Sequence, residues 1–449
     1  MNIYTVIFNW LIVFILSSIV ALVLVMYKRN WRSVRVVFPV FFILSFALHV
    51  IPFVINCSVN YEIGYEIYPN LDSFIQCVPY SIFLCSIFIL LFSFLYRFVK
   101  VRVPQNRSQY TKLTVSEKQI ILIITLISGV LLCILARDTG GIIGLILKGY
   151  NVTEVFIGKG HLVNSINWLT SITLLLAANS FYEKRSKKNV YLWIGVFLFV
   201  CLVFAVMGRR GDIVCFFLAM LFLYNYMYRS ISIFKMGCLL IGVFIALNIV
   251  GLVRTSDYES LKEVTQSYKE NKSTESSNNM FYVLTTGQFA HPYISFPHMI
   301  SVQGKDYRYG LGKYTLTSFC LLVPNVLWKD RPLGMSQWYA KEYLQVEKSN
   351  QGRLFFSLAI AYMDFGFCGI LLFGLILAVL LKFLTNLYEQ YKEDVLVVCL
   401  VAIIFSYMFS LVTGDVLSFF IVLGKGALFP IVLLLIYRAM FEKNNYIGL

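Results

Sequence analysis

The chain has 449 residues, of which 59% are hydrophobic and 14% charged, against roughly 25% charged in an average soluble domain. This balance excludes a soluble globular protein. The formal charge of +15 would point to nucleic acid in a soluble protein, so its distribution along the chain decides what it means.

Hydrophobic runs close to the roughly 20 residues that cross a bilayer recur along the whole chain. In chain order the predicted spans are Ile3–Met26, Val34–Ile55, Phe74–Tyr96, Gln119–Ala136, Leu162–Phe181, Val190–Met207, Ile213–Tyr228, Met236–Val253, Phe367–Leu387, Val395–Val412 and Val416–Tyr437, eleven in all. The first lacks a basic leader and a small-residue cleavage site, and reads as a retained helix. Alternate connections carry the basic residues, from Lys28, Arg29 and Arg32 through Arg97, Lys112 and Lys184 to Arg229, Lys235 and Lys443. By the positive-inside rule these face the cytoplasm, with the N-terminus outside and the C-terminus inside.

With the helix ends included, that side holds 20 basic and 6 acidic residues, and the rest of the chain 18 and 17. Orientation accounts for nearly all the excess charge, and a nucleic-acid partner has no support. The expected fold class is therefore all-α, a polytopic membrane helix bundle in three parts. Eight spans occupy 1–253, a large external loop 254–366 and three further spans 367–449. The ten cysteines are scattered, with no CxxC and no histidine pair at ligand spacing. No metal, cofactor or disulfide framework is expected.

The loop 254–366, 113 residues long, is the one candidate for a separate functional segment. Its start, 254–279, is polar and solvated in character, whereas Phe281–Val302 and Leu311–Trp328 are apolar and aromatic, interrupted by Pro292, Pro297 and Pro324. Such a pattern fits broken helices on or in the membrane surface, folded back over the bundle. A smaller glycine-rich external segment, 137–161, reads as a short interfacial helix with flexible ends.

Several residues offer chemistry. Gly208-Arg209-Arg210-Gly211-Asp212 joins two spans on the external side, where paired arginines run against the charge rule. Guanidinium groups at a helix start make a bidentate site for phosphate oxygens, with lipid head-group contact as the alternative. Arg254, Arg308, Arg331 and Arg353 extend the external arginine set, Arg331 following Trp328 between two prolines; an exposed salt bridge is the alternative for Arg331 and Arg353. Lys425 lies within the last span between Gly424 and Gly426, about 15 Å from either helix end. An intramembrane lysine needs a partner, unless the helix is shifted or re-entrant and the ammonium snorkels out. Three groups compete for the role of base: His291, one of two loop histidines with His298, then Asp364 and Asp415, which a helix N-terminus would equally favour. No DxD motif lies on the external side, so a metal-held nucleotide sugar is not indicated.

Taken together, the Gly208-Arg209-Arg210 turn, the long external loop, Leu322-Val323-Pro324…Trp328…Arg331-Pro332 and Ser357…Asp364-Phe365-Gly366…Gly369 give a chain that resembles the bacterial oligosaccharide repeat-unit polymerases. These are the Wzy-type polymerases of O-antigen, capsule and enterobacterial common antigen. The resemblance implies a metal-independent glycosyltransferase of the GT-C type in the bacterial inner membrane, active on the periplasmic face. It would join undecaprenyl-pyrophosphate-linked oligosaccharides as donor and acceptor. It implies pyrophosphate binding by Arg209, Arg210, Arg254, Arg331, Arg353 and Lys425, a base at His291 or Asp364, and sugar contacts from Trp328 and Trp338. Its partners are the bilayer, the lipid-linked substrates and a membrane-bound chain-length regulator. An O-antigen ligase shares the donor and differs in the acceptor. A transporter or flippase of lipid-linked oligosaccharide is the reading from another class, and the nearly uncharged spans favour the enzyme over it.

Overall fold

The computed structural model describes residues 3–59, 71–104, 112–139 and 141, 160–183, 187–206, 210–232 and 235, 291–305, 307–323, 327–343 and 355–447. Every regular element among them is helical. They are α1 (Ile3–Met26), α2 (Val34–Val59), α3 (Leu71–Phe98), α4 (Val115–Thr139), α5 (Gly160–Tyr182), α6 (Lys187–Val206) and α7 (Arg210–Leu223), the last extended by a π-helical turn. After the loop region come α8 (His291–Val302), α9 (Lys313–Leu316) with a 3₁₀ turn over Thr317–Leu322, α10 (Met335–Glu342), α11 (Ser357–Gln390), α12 (Val395–Leu411), α13 (Val416–Lys425) and α14 (Phe429–Ile447).

Among the described residues six helices are long and apolar enough to cross a membrane, or seven if α13 and α14 form one span bent by 81°. The protein is thus a polytopic helical membrane protein. The six coincide with six of the eleven expected spans, those beginning at Ile3, Val34, Phe74, Gln119, Ile213 and Phe367. Leu162–Phe181 lies on α5, α6 covers Val190–Val206, and α12 is a shorter apolar helix of 17 residues. Met236–Val253 falls outside the described residues. One-sided exposure fits a lipid surrounding: Leu16 and Val23 on α1, and Leu122, Leu126 and Val130 on α4, are all more than half exposed, an arrangement costly in water.

The chain divides into two compact units. The first comprises Met1–Gln105, Ser277–Gln390 and Met408–Ile421, so the described part of the 254–366 region belongs to it. Within it α8 is buried from Pro292 to Met299. Tyr293, Phe296 and Met299 are fully buried, and the Tyr293 hydroxyl meets Ser81 of α3 at 2.6 Å. Around them Phe46, Phe53 and Phe356 close an aromatic core with centroid separations of 5.3–5.4 Å, a spacing at which edge-to-face and tilted rings attract.

The second unit comprises Asn106–Ser276, Tyr391–Tyr407 and Val422–Leu449. Its α5 is rich in Asn, Ser and Thr. The hydroxyls of Thr170 and Thr173 donate to carbonyls four residues earlier at 2.8 and 2.9 Å, so their polarity is satisfied within the helix.

The strongest tie in this unit is Arg438 of α14. Its Nε donates to Glu117, the residue that also closes a capping box with Thr114 at the start of α4. Its Nη1 donates to both oxygens of Asp394, at 2.9 and 3.0 Å, and Asp394 in turn caps α12 through the Leu396 amide at 2.9 Å. One guanidinium therefore holds two helix N-termini through the carboxylates that cap them. Replacing Arg438 by alanine leaves two buried carboxylates without their cation, and stability should fall by roughly 3–5 kcal/mol. Thermal unfolding of the detergent-solubilised protein measures this, and an unchanged midpoint would show the cluster to be dispensable.

Candidate functional site

The site region is the loop that precedes α11, and its geometry starts from a helix too short to cap itself. α9 has four residues, and its N-cap, Gly312, has no side chain to satisfy the free amides of the first turn. Asp364 supplies the missing acceptor from 52 residues away: Oδ1 accepts from the amides of Gly312 at 3.1 Å and Tyr314 at 2.9 Å. Oδ2 accepts from the Thr315 amide at 2.9 Å and its hydroxyl at 2.7 Å. The backbone adds Gly310 N–H to Met363 O and Leu311 N–H to Asp364 O, both 2.9 Å. Leu311 and Gly312 carry positive φ values of 51° and 96°, the turn that brings these amides round onto one carboxylate.

Those four contacts fill all the acceptor positions a carboxylate has. Asp364, expected as a possible base, is only 1% exposed and anchors the loop through these contacts. Asp415 behaves alike. It is the N-cap of α13, accepting from the Ser418 amide, and its second oxygen accepts from Ser318 of the 3₁₀ turn, each at 2.7 Å. Two buried aspartates thus fasten the loop within the first unit.

The chain between them and the membrane helix is folded sharply. α11 is interrupted at Gly366, where φ is 61° and ψ −138°, values open to glycine and costly for other residues. In a straight helix residues eight apart lie about 12 Å apart along the axis. Here a Cβ at Gly369 would collide with the carbonyl oxygen of Ala361. The segment before Gly366 folds back on the segment after it, and the longer part, from Phe367, begins where the sequence places the end of the loop.

The aromatic residues of the loop gather beside this anchor. Trp338 of α10 packs on Tyr314 and Tyr343 with centroids 5.7 and 5.4 Å away. Trp328 is 42% exposed and open to a ligand. Arg331 donates from Nη1 to the Val323 carbonyl at 2.6 Å, closing the proline-bounded stretch on itself. His298 is buried against Tyr339, Nδ1 meeting the hydroxyl at 2.7 Å, and this burial pushes its imidazole down to about 4. It packs the loop as a neutral side chain.

In the second unit Lys425 ends α13 rather than standing within a continuous span. The helix breaks there because the Trp168 indole donates to the Lys425 carbonyl at 2.9 Å and Ser171 to that of Ala427. Asn167 closes in on Gly426, where an added Cβ would come within 2.9 Å of its amide nitrogen. Asp212, at the start of α7, accepts from the Tyr407 hydroxyl at 2.9 Å. Arg210 begins α7 and His291 begins α8, their side chains lying outside the described set, as do Arg209, Arg254 and Arg353 altogether.

Sequence reasoning missed Thr315 and Ser318 as partners of the aspartates and Trp168 and Ser171 as partners of the break. No local pattern marks them, since the loop contacts span 49 and 97 residues. The chain matches no protein-family model, no curated protein and no solved structure.

The fold at Gly366 gives a sharp prediction. Gly369→Ala should destabilise the protein by about 3 kcal/mol, because a backbone oxygen cannot yield. Gly374→Ala, whose added Cβ meets Leu91 and Phe88 at an ordinary 3.5–3.6 Å, should be tolerated. Melting temperatures of the two variants in detergent compare them directly, and equal behaviour would contradict the fold-back.

Proposed function

We propose that the protein is a membrane-embedded glycosyltransferase that joins undecaprenyl-pyrophosphate-linked oligosaccharide repeat units into a surface polysaccharide, in the manner of the Wzy-type polymerases. The fold in this proposal is a GT-C-like bundle of eleven spans in the bacterial inner membrane, with its working face in the periplasm. One observation carries the reading. The two stretches on which the resemblance rests, 322–332 and 357–369, lie in one unit, where Asp364 of the second fastens residues 312–315 and Trp338 packs on Tyr314 of that anchored turn.

In the proposed reaction a hydroxyl oxygen of the acceptor sugar attacks the anomeric carbon of the donor glycan. The bond between that carbon and the pyrophosphate oxygen breaks, its electron pair leaves with the pyrophosphate, and the hydroxyl proton passes to His291. His291 is ranked before Asp364 and Asp415 because a neutral imidazole can take up a proton without leaving a buried charge unpaired. Arg210, with Arg209, Arg254, Arg331, Arg353 and Lys425, stabilises the charge that develops on the leaving group. Loop aromatics hold the sugars by stacking.

Purified protein supplied with lipid-linked repeat units should lengthen the glycan without added metal. Arg210→Ala should abolish lengthening and Arg210→Lys leave it badly impaired, because a point charge lacks the two-donor fork. His291→Ala should slow it by roughly 10²–10⁴-fold. Movement of unlengthened substrate across vesicles would identify a flippase, and transfer to a lipid A core acceptor a ligase. Full activity of Arg210→Lys would remove the pyrophosphate role.

A further inference from the structure

At one end of the first unit, where α1 and α3 finish and α2 begins, cations gather around one buried ring. Tyr96 is fully buried, and its hydroxyl donates to the Arg35 carbonyl at 2.9 Å and to Thr385 at 3.3 Å. The guanidinium carbon of Arg29 stands 5.9 Å from the centroid of this ring, and the Lys382 ammonium 5.0 Å from the same centroid. Arg29 and Arg35 both lie close enough to Lys382 to act on it electrostatically. The neighbouring carboxylate, Glu389, accepts from Ser33 at 3.4 Å. None of the three cations forms an ion pair with a described carboxylate.

The cations of this end are not alike. Arg97 is satisfied: its Nη1 donates to the carbonyls of Leu24 and Tyr27 at the end of α1. Lys382 donates to the Tyr96 carbonyl at 3.2 Å. Arg29, by contrast, has Nη1 buried with no hydrogen-bond partner among the described residues. A buried charged donor left unmade is costly, and like charges sharing a low-dielectric site repel. The first turn of α2, starting at Val34, adds the positive end of a helix dipole.

An oxyanion would remove these costs together. It would accept from Arg29 Nη1, neutralise Lys382 and Arg35, and lie at a helix N-terminus. We propose that Arg29, Arg35 and Lys382, gathered around Tyr96, form a binding site for a phosphate-bearing anion, distinct from the loop platform and at the end of the bundle that the basic connections assign to the cytoplasm. The chemistry is that of a phosphate oxygen, carried either by the head group of an anionic phospholipid or by a soluble phosphate.

Two arms separate these sources. In the first, purified delipidated protein is mixed with phosphatidylglycerol or with zwitterionic phosphatidylcholine and retained lipid is read by native mass spectrometry. In the second, inorganic phosphate is titrated and the melting temperature followed. Preferential retention of phosphatidylglycerol, weakened roughly tenfold by Arg29→Gln, supports a head-group site. Stabilisation by phosphate that Arg29→Gln loses supports a soluble ligand. Arg35→Gln, whose side chain is exposed, should weaken binding in the same arm and decides the matter alone if Arg29→Gln does not fold. Equal retention of the two lipids with no stabilisation by phosphate overturns the proposal, as does undiminished binding by the variants.

Discussion

A single carboxylate organises the part of this protein that differs from a plain bundle of membrane helices. Asp364 receives three amides and a hydroxyl from residues 312–315, and each partner would otherwise be a donor at the start of a helix with no cap of its own. These bonds leave the loop few alternative resting places. The fold-back at Gly366 sets the carboxylate beside the loop, Asp415 fixes the next turn through Ser318, and the aromatic residues about Trp338 and Tyr314 pack where these anchors leave them.

The second unit solves the same problem with a different residue. Burial of apolar surface contributes little to helix association inside lipid, so packing and hydrogen bonds must hold helices together. Arg438 does this with both capping carboxylates of α4 and α12. The break between α13 and α14 follows the same logic, since the carbonyls freed by the bend are met by Trp168 and Ser171. In each case an irregular backbone persists because polar groups elsewhere satisfy it, the condition under which non-helical backbone is tolerated at membrane depth.

Much of this was legible in the sequence because the signals were local. The spans from Ile3 to Tyr96 match their helices to within a few residues, hydrophobic period and length sufficing there. The chain turns at Gly366, one residue before the predicted span Phe367–Leu387. The break at Lys425 was legible only as the alternative of a shifted or re-entrant helix, because the groups that stabilise it, Trp168 and Ser171, lie on α5. Asp364 showed the same limit. Its position before a span suggested a base or a helix-end carboxylate, and only the fold reveals its four donors, none closer than 49 residues along the chain. Arg29 was read as one of many cations that set orientation; that its buried Nη1 has no partner among the described residues is a property of three dimensions alone.

The central claim is that Asp364 holds the loop in place, and amide hydrogen exchange tests it most directly. In the parent protein the amides of Gly312, Tyr314 and Thr315 should exchange as slowly as those of a packed helix. In Asp364→Ala they should exchange at least roughly tenfold faster, while the buried amides of α8 keep their protection. Unchanged slow exchange at residues 312–315 in Asp364→Ala would contradict the account.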